Sequence, residues 1–531
     1  MTATGCREPP LVSAMSDPAF YPHGPERVEL VETHISWVFL AGELVYKVKK
    51  PIVFPFLDYG TLERRRAMCE EEVRLGRRLA PVLYLGVRQI VGGPGRWALG
   101  EPGAEGACEY AVELRRFAEE RTLASLLQRG KAGPGEIRDV AKRLARFHAE
   151  TQLAPAGSFP PSAIAAAVSG NFATLLDFPS AVEGRVVEAG QRFAVAFVHA
   201  NRELFQHRAA HGRVRDCHGD LRAEHVILNG EVQVFDAVEF DPGLRLIDVC
   251  ADLAFLVMDL ERADRPDLAA ELLAGYRREG GDPGPDALVY FYAAYRAWVR
   301  AKVAVLRANE LAPDDPAQRA SLDEGRGLAA HGRRLAWRAR RPLTLVVCGV
   351  SATGKTRLAR ELALLSGLAH LNSDVVRKEL AGLPPEDRAG PEHYSEEFSL
   401  ATYRELGSRA ASALAAHGGA IVDATFRRRA GRDAFAEGFG AKAPAPLFVE
   451  CRAPASVLAA RATRREAEPA HVSDASPAIV ERQLHEFEPL DEVQAKTHLA
   501  LRTDRTPDEV LDDLEAALDG RISGGAGVEN H

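Results

Sequence analysis

The feature that most constrains the fold is a run of eight residues directly after the apolar segment Leu343–Cys348. The run is Gly349, Val350, Ser351, Ala352, Thr353, Gly354, Lys355 and Thr356, and it fits the pattern G-x-x-x-x-G-K-[ST] at every position. Glycine lets the backbone approach a phosphate chain, and successive N–H groups followed by a helix N-terminus present positive dipole to it. Lys355 can reach the β- and γ-phosphates, and the Thr356 hydroxyl can bind Mg²⁺. The pattern predicts a nucleotide-binding segment that extends to Arg357.

The sequence after this loop alternates between strand-like and helix-like segments. Apolar runs at 343–350, 369–374, 420–426, 447–451 and 499–504 are each followed by a helix-like stretch. Strands that alternate with helices in this way form parallel sheets covered on both faces. The second half is therefore predicted to be an α/β P-loop NTPase domain with a mainly parallel sheet.

Two carboxylates follow strands of this predicted sheet, at the carboxyl edge where ligands bind in such folds. Asp374 can accept a proton from a substrate hydroxyl, with Arg377 holding a substrate anion. Alternatively, Asp374 is the N-cap of a helix that begins at Val375. Asp423 can hold Mg²⁺ directly or through water, or it is a cap or turn residue.

Arginines cluster twice in the second half. Arg461, Arg464 and Arg465 have the i, i+3, i+4 spacing of one helix face, which either stabilises a transferring phosphate or forms a solvated stripe. A second cluster follows the Asp423 strand and consists of Arg427, Arg428, Arg429 and Arg432. This second cluster could bind the phosphates of a nucleic-acid end.

The first half shows strands first and helices later, which predicts a two-lobed α+β domain. Asp220, in CHGDLRAEH, and Asp236, in VFDAVEF, bracket a short hairpin and can share one Mg-ATP site. Lys47, in VYKVKKP, can neutralise phosphates, and Glu72 can hold that lysine in place. The alternative interpretations are a solvated strand face for Lys47 and a surface helix charge for Glu72.

The second half resembles P-loop small-molecule and polynucleotide kinases. The resemblance rests on GVSATGKT, LNSDVVRKEL, IVDATF and ARATRREAEPAHVSDAS, and the similar enzymes are gluconate kinase, the zeta-toxin kinases and polynucleotide 5′-kinase. It implies that Asp374 acts as the substrate base. It also implies that a lid arginine, Arg461 or Arg464, assists the transfer.

The first half resembles aminoglycoside phosphotransferases and their protein-kinase-like relatives, through HGDLRAEHVIL in particular. Together with THISWVFLAGELVYKVKKP and FDAVEFDPGLRLIDVCADLAFLVMDL, it is similar to a branch that fuses this half to a P-loop half, the bifunctional aminoglycoside phosphotransferase/ATP-binding proteins. The resemblance implies catalysis by Asp220, metal binding by Asp236 and phosphate binding by Lys47, with Lys49 as second choice. Glu72 would be the partner of that lysine, and Asp252 would brace the catalytic loop.

Two positions depart from that family pattern. His225 stands where the pattern has a metal-binding Asn, and imidazole nitrogen is a softer ligand than the oxygen that Mg²⁺ prefers. His225 is kept as a candidate metal ligand. Otherwise the second metal is lost, or His225 has another role, such as a hydrogen bond to the loop. The front hairpin also lacks G-x-G-x-x-G and contains only Gly42.

The predicted organisation follows from these segments. In order, it consists of an N-terminal extension (1–25), a kinase-like domain (26–312), a linker helix (313–341), a P-loop kinase domain (342–519) and a disordered tail (520–531). The linker is predicted to be an exposed helix because it is polar and rich in arginine.

Composition excludes several classes of protein. The chain has 67 Lys and Arg against 75 Asp and Glu, a net charge of −8, which argues against broad nucleic-acid binding. No apolar run approaches the roughly 18 residues of a membrane span, and the N-terminus does not have the pattern of a secretory signal. The seven cysteines lie far apart, as reduced thiols do in a cytoplasmic protein.

The leading prediction is an ATP- and Mg²⁺-dependent phosphotransferase with two kinase-type modules, whose partners are ATP and a small-molecule phosphoryl acceptor. A first alternative is a P-loop kinase or ATPase regulated by a non-catalytic, ligand-sensing kinase-like module, which His225 favours. A second alternative is a nucleic-acid 5′-hydroxyl kinase. The sequence leaves the acceptor, the oligomeric state and the coupling between the halves open.

Overall fold

A computed structural model of the chain describes residues 10–54, 57–93, 96–100, 106–155, 157–384, 387, 389–441, 445–466 and 477–524. The chain divides into two compact units. Unit 1 comprises Met1–Ala163 and Glu203–Ala293, and unit 2 comprises Ile164–Arg202 and Ala294–His531. The chain therefore enters unit 2 once before unit 1 is complete.

The described residues form helices and strands that are numbered in chain order. The helices are α1 Pro10–Met15, α2 Leu62–Gly76, α3 Leu123–Gln128, α4 Pro134–Glu150, α5 Pro161–Leu176, α6 Gly184–Ala200, α7 Arg202–Ala210, α8 Val249–Arg262, α9 Pro266–Arg278, α10 Asp286–Glu310, α11 Pro316–Ala339, α12 Lys355–Ser366, α13 Ser373–Leu380, α14 Glu396–His417, α15 Arg429–Phe439, α16 Ala455–Glu466, α17 Pro477–His485 and α18 Pro507–Gly524. The strands are β1 Val28–Glu32, β2 Ser36–Ala41, β3 Leu44–Lys49, β4 Val53–Phe54, β5 Leu57–Asp58, β6 Tyr84–Val91, β7 Ala98–Gly100, β8 Ala107–Arg115, β9 Val214–Asp216, β10 Val226–Asn229, β11 Glu231–Val234, β12 Leu246–Asp248, β13 Leu343–Cys348, β14 Ala369–Asn372, β15 Gly419–Asp423, β16 Leu447–Arg452 and β17 His498–Arg502. None of the helices in the described part of the chain is long and apolar enough to cross a membrane.

Unit 1 begins with a six-stranded antiparallel sheet in the order β1-β2-β3-β8-β6-β7. Apolar side chains of the central strands point to both faces of the sheet, so other elements must pack against each face. Phe39 and Tyr46 lie in one core cluster with Met15 and Tyr21 of the N-terminal segment, and α2 packs against β8. The helices from α3 onward follow the sheet in sequence, which confirms the predicted α+β fold of the first half.

Unit 2 contains a five-stranded sheet in the order β14-β15-β13-β16-β17, and every pairing is parallel. One core cluster contains Leu345, Leu362 of α12 and Leu514 of α18. A second cluster contains Val346, with Leu406 of α14 and Phe435 of α15. The sheet thus has a packed layer on each face, and the predicted α/β fold with a parallel sheet is confirmed.

Helix α11 coincides with the predicted linker helix, but the prediction that it is exposed is wrong. Leu328, Leu335 and Trp337 are buried, and Trp337 Nε1–H donates to Glu515 Oε1 of α18 at 2.6 Å. Its arginines are also engaged: Arg340 donates to Asp519 of α18 at 2.6 Å. One face of this helix therefore packs inside unit 2, where Arg333 and Arg340 form ion pairs, while Arg319 and Arg334 on it are exposed.

Both terminal segments contain packed helices in the described part of the chain. Residues 10–25 contain α1, and Val12, Met15 and Tyr21 there are buried against the sheet of unit 1. At the other end, α18 continues to Gly524, so the predicted disordered tail begins too early. Leu518 is buried one position before the hydrogen-bonded Asp519, and the helix extends beyond this packed turn. Residues 525–531 lie outside the described part of the chain.

Candidate functional site

The predicted phosphate loop joins β13 to α12 in unit 2. Gly349, Ala352 and Gly354 have left-handed backbone angles, with φ values of 134°, 67° and 90°. At Gly349 an added Cβ would lie 2.6 Å from the carbonyl oxygen of Cys451, so the position requires glycine. The turn is closed by Thr353 Oγ1, which donates to the Val350 carbonyl at 2.9 Å. A turn of this kind directs its amides toward an anion, and Lys355 is the first residue of the helix that follows.

Side chains from the predicted arginine helix and from α17 contact the loop. Arg461 donates to the carbonyl oxygens of Ala352, at 3.4 Å, and Thr503, at 2.7 Å. Arg464 lies exposed on the same helix, α16, and the side chain of Arg465 is outside the described residues. Gln483 Oε1 of α17 accepts the Ser351 N–H at 2.7 Å.

Asp423, the last residue of β15, is fully buried beside the loop. Its Oδ2 accepts from Asn372 Nδ2 at 2.7 Å, whereas Oδ1 is buried and has no hydrogen-bond partner among the described residues. Burial alone would raise the pKa of Asp423, but His370, whose Nε2 lies 3.5 Å from Oδ2, and the charge of Lys355 outweigh it and lower the pKa. The alternative of a cap or turn residue is wrong, because the carboxylate binds a side chain of the neighbouring strand.

An ionised carboxylate with one open oxygen suits a hard divalent cation. The neighbouring Thr356 hydroxyl also lowers the pKa of Asp423. Carboxylate and hydroxyl oxygens are the ligands that Mg²⁺ prefers, so the residues present fit this ion. Arg357, at the end of the predicted nucleotide-binding segment, is exposed and donates to Glu361 at 3.1 Å.

Asp374 lies in the first turn of α13, and its side chain is 68 % exposed. The alternative that Asp374 caps a helix from Val375 is wrong: α13 begins at Ser373, and Asn372 Oδ1 accepts the N–H groups of Asp374 and Val375. Arg377 donates to Asp374 Oδ1 at 2.9 Å, and its guanidinium lies 4.6 Å from the centre of the Tyr394 ring. The Nε of this buried arginine has no hydrogen-bond partner within the described part of the chain.

The second arginine cluster is largely engaged in internal contacts. Arg432 is buried, contacts Glu492 and donates to the Phe426 carbonyl at 2.9 Å. Arg427 pairs with Glu486 at 3.1 Å. The remaining two pairs are Arg428 with Glu486 at 3.8 Å and Arg429 with Asp433 at 3.7 Å. Arg432 is therefore committed to internal contacts, whereas Arg428 and Arg429 remain exposed and form only long surface pairs.

In unit 1 the structure brings three predicted residues together. Lys47 Nζ of β3 lies 3.0 Å from Glu72 Oε1 of α2 and 2.6 Å from Asp236 Oδ1. Burial would lower the pKa of Lys47, but Asp236 and Glu72 raise it well above its usual range. Burial would likewise raise the pKa of the half-buried Asp236, but the charge of Lys47 outweighs it and lowers the pKa. Both alternatives are wrong, because Lys47 lies in an ion-pair network and Glu72 is buried.

The two predicted lysines differ in what they can reach. Lys49 is fully buried, lies 2.7 Å from Glu72 Oε2 and also contacts Glu239. Lys47 keeps 16 % of its side chain exposed. The sequence reasoning missed Glu239 and Tyr59, whose hydroxyl donates to Glu239 at 2.6 Å.

Two acidic residues of α8 accept hydrogen bonds from backbone N–H groups of the segment from Cys217 to His225. Asp252 accepts the N–H groups of His218 and Gly219 at 3.0 and 2.9 Å, which is the predicted bracing contact. Burial would raise the pKa of Asp252, but hydrogen bonding from His148 outweighs it and lowers the pKa to about 2. Asp259, one further residue of α8, accepts the Ala223 N–H at 2.8 Å.

His225 and Asp220 lie side by side in this segment. His225 Nδ1 lies 2.9 Å from the Asp220 carbonyl oxygen, and because a carbonyl only accepts, Nδ1 carries the proton. The other nitrogen, Nε2, is then a lone-pair donor 3.8 Å from Asp236 Oδ2. Arg222 donates to Asp220 Oδ2 at 3.1 Å and also contacts Nε2 at 3.2 Å. The hydrogen bond to the loop is therefore present, and Nε2 still faces the predicted metal ligand.

Several of these contacts join residues far apart in sequence, which is why the sequence reasoning missed them. Asn372 did carry a local signal, because asparagine is a preferred N-cap and a helix-like stretch follows it. Gln483, Glu239 and Asp259 carried none, since each contacts a segment distant in sequence.

Comparison with known proteins gives two family matches. Residues 61–289 match the Phosphotransferase enzyme family, and residues 345–490 match an AAA domain family. The chain is also 34 % identical over 411 residues to the uncharacterized proteins Mb2027c of Mycobacterium bovis and Rv2004c of Mycobacterium tuberculosis. These alignments cover 75 % of this chain and 78 % of each relative.

Solved structures are similar to single parts of the chain. A choline/ethanolamine kinase family protein from Mesorhizobium loti has 17 % identity and a TM-score of 0.38, over 62 % of this chain and 95 % of that one. A gluconokinase from Sinorhizobium meliloti 1021 has 22 % identity and a TM-score of 0.25, over 35 % of this chain and 96 % of that one.

The two family matches and the similarity to the mycobacterial proteins cover both units. The predicted site residues of the second half lie within 345–490, and those of the first half lie within or just before 61–289. The chain therefore belongs to the family of these mycobacterial proteins and joins an N-terminal domain of the Phosphotransferase enzyme family to a C-terminal AAA-type domain that carries the phosphate loop.

Proposed function

We propose that the chain is an ATP- and Mg²⁺-dependent phosphotransferase that phosphorylates a small hydroxylated molecule in unit 2. The observation that carries the proposal is the arrangement at one edge of the parallel sheet. There the amide-lined loop, the ionised Asp423 and the exposed Asp374 with its arginine follow neighbouring strands. Such an arrangement has a place for phosphates, a place for a cation and a place for an acceptor.

The loop would hold the phosphates through backbone donors. The amides of the turn and the first turn of α12 present N–H groups, and Lys355 adds an ammonium group at the β- and γ-phosphates. Thr356 and Asp423 would hold Mg²⁺, which, when bound, adds positive charge at the phosphate oxygens. Arg461 supports the loop from its carbonyl side, so its role in this proposal is to fix the turn. Arg464 remains the candidate for contact with the transferring phosphate.

The acceptor would bind at α13. Asp374 accepts the proton of the acceptor hydroxyl, the hydroxyl oxygen forms a bond to the γ-phosphorus, and the bond to the β-γ bridging oxygen breaks, so that ADP leaves with that electron pair. Arg377 orients Asp374 through their 2.9 Å hydrogen bond. Its open Nε can also bind an anionic group of the acceptor.

Unit 1 is proposed as a second Mg-ATP site. Lys47 would contact the phosphates, Asp236 with His225 would hold the metal, and Asp220 would act as base toward a hydroxyl. Glu72 would keep Lys47 in place. This module repeats the chemistry of unit 2 with different elements.

A second candidate is favoured by one contact. His225 is bonded to the loop through Nδ1, and Arg222 contacts both Nε2 and Asp220, so a guanidinium lies where a second cation would be needed. In this candidate, unit 1 binds a ligand without catalysis and regulates the P-loop unit.

The test is ATP consumption by wild type, Lys355→Ala, Asp374→Asn and Asp220→Ala against panels of sugars, aminoglycosides and 5′-hydroxyl oligonucleotides. We expect a small hydroxylated compound to stimulate ATP consumption in wild type and not in Lys355→Ala or Asp374→Asn. Full activity of Asp220→Ala with every acceptor would support the second candidate. Stimulation by oligonucleotides alone would contradict the small-molecule proposal.

A further inference from the structure

The side chain of Asn372 joins two parts of the site in unit 2. Asn372 ends β14 and pairs in register with Asp423 of the parallel neighbour β15. Its Nδ2 donates to Asp423 Oδ2 at 2.7 Å, and its Oδ1 accepts the N–H groups of Asp374, at 2.9 Å, and Val375, at 3.3 Å. Carboxylates only accept and backbone N–H groups only donate, so this chemistry fixes which end of the amide faces which partner.

One consequence concerns the orientation of Asp423. With Oδ2 held by the amide, the carboxylate cannot rotate freely, and Oδ1 remains as the buried oxygen without a hydrogen-bond partner in the described residues. Asn372 is itself a poor candidate for a cation ligand, because its carbonyl oxygen already accepts two N–H groups. Its effect on a cation would therefore act through Asp423.

The other consequence concerns the acceptor helix. The same amide caps α13, whose first turn carries Asp374 and whose next turn carries Arg377. An N-cap satisfies backbone donors that would otherwise have no partner, and so fixes where a helix starts. The position of the proposed base is thus set by the residue that orients the proposed cation ligand.

We propose that Asn372 is a positioning residue that holds Asp423 with Oδ1 open to the cation and ties that carboxylate to the N-terminus of α13. The inference rests on the proposed function of unit 2 and adds a residue to it. It predicts that cation binding at Asp423 and the order of the first turn of α13 depend on each other.

The test uses Asn372→Ser in a Lys47→Ala background, which removes the other proposed nucleotide site. Serine is an N-cap as good as asparagine, so α13 keeps its cap, but the shorter side chain does not reach Asp423. Binding of a fluorescent ATP analogue to the protein is measured over a range of Mg²⁺ concentrations and, separately, in EDTA. Thermal unfolding of the same proteins is followed in parallel. We expect Mg²⁺ affinity to fall about 10-fold or more, as for other residues that orient a metal ligand. The affinity for the ATP analogue in EDTA should be unchanged, because the phosphate loop and Lys355 are intact.

Ser395→Ala is the matched control, because Ser395 caps α14 in the same unit and accepts the Phe398 N–H. It should lower the unfolding temperature and leave Mg²⁺ affinity unchanged. Equal Mg²⁺ affinity of Asn372→Ser and its background would overturn the positioning role, as would a loss of affinity that follows thermal stability in both variants. If the background itself showed no Mg²⁺-dependent nucleotide binding, the proposed function would fail instead.

Hydrogen exchange supplies a second readout that does not depend on affinity. Addition of Mg²⁺ and ATP should slow exchange at the amides of Asp374 and Val375 in the Lys47→Ala background. The same addition should have little effect on these amides in Asn372→Ser, since the connection to Asp423 is cut while the cap remains. Identical protection in both proteins would contradict the proposed connection.

Discussion

The two proposed cation ligands, Asp236 in unit 1 and Asp423 in unit 2, are compensated in different ways. Asp236 lies 2.6 Å from the ammonium of Lys47. Asp423 is held by the neutral amide of Asn372 and keeps one buried oxygen without a hydrogen-bond partner among the described residues. The proposed metal ligand of unit 1 is therefore paired directly with a lysine. The ligand proposed in unit 2 is bonded to a neutral amide, and its compensation is weaker, from His370 Nε2 at 3.5 Å and from the charge of Lys355. Under the proposed function, the stability of unit 2 should therefore depend more on the bound cation than the stability of unit 1 does.

The largest expected effect is a loss of stability when the buried ion pairs of unit 1 are broken. Glu72→Ala leaves Lys47 and Lys49 without their shared partner, and breaking a buried ion pair costs about 3–5 kcal/mol. The free energy of unfolding, measured with denaturant, should fall by about this amount for the transition of unit 1. Asp423→Asn is the matched substitution in unit 2 and should change stability less in EDTA, because its ionisable neighbour His370 lies 3.5 Å away, farther than the lysines lie from Glu72. A larger loss for Asp423→Asn than for Glu72→Ala would refute the comparison.

The next effect concerns nucleotide turnover in unit 2. Lys355→Ala removes the ammonium from the phosphate loop, and loss of one such electrostatic group lowers the rate by about 10²–10³-fold. ATP consumption with the identified acceptor is the measurement. Lys142→Ala is the control, because Lys142 is an exposed residue of α4 that belongs to neither proposed site. It should retain full activity.

A third prediction concerns acid. The folded pKa of Asp252 is about 2, below its ordinary value, so its ionised form stabilises unit 1 above about pH 4 and this contribution disappears as the pH falls toward 2. The loss should amount to about 2 kcal/mol. Denaturant unfolding curves recorded between about pH 5 and about pH 2 measure this loss. Asp252→Asn should be less stable at neutral pH and should lose less stability on acidification, and parallel pH curves for the two proteins would contradict the assignment.

The smallest effect sharpens the comparison through metal preference. The ligands proposed in unit 2 are all oxygen atoms, whereas Nε2 of His225 offers nitrogen beside Asp236 in unit 1. In a Lys355→Ala background, Mn²⁺ should support nucleotide binding to unit 1 better than Mg²⁺, because Mn²⁺ tolerates imidazole more readily. His225→Asn should shift the preference toward Mg²⁺. An unchanged Mn²⁺ to Mg²⁺ ratio would indicate that His225 serves only its hydrogen bond to the loop.

The extent to which these features were predictable depended on how local they are. The phosphate loop consists of contiguous residues between a strand and a helix, so its position was predictable, although the left-handed backbone of Ala352 was not. The nature of α11 was not, because its arginines find acidic partners on α18, as with Arg333 and Glu515 at a separation of 182 residues. The roles of Asn372 and Glu239 likewise depend on side chains that the fold brings together, which composition and spacing do not reveal.

The path of the chain has a practical consequence for studying either unit by itself. Residues 164–202 belong to unit 2, yet they interrupt the sequence of unit 1, which resumes at 203. A single proteolytic cut or stop codon therefore cannot release both units intact, and a fragment that starts at the phosphate loop lacks α6 and α11, which pack within unit 2. Testing the function of each unit separately therefore requires point substitutions in the full-length polypeptide rather than truncation.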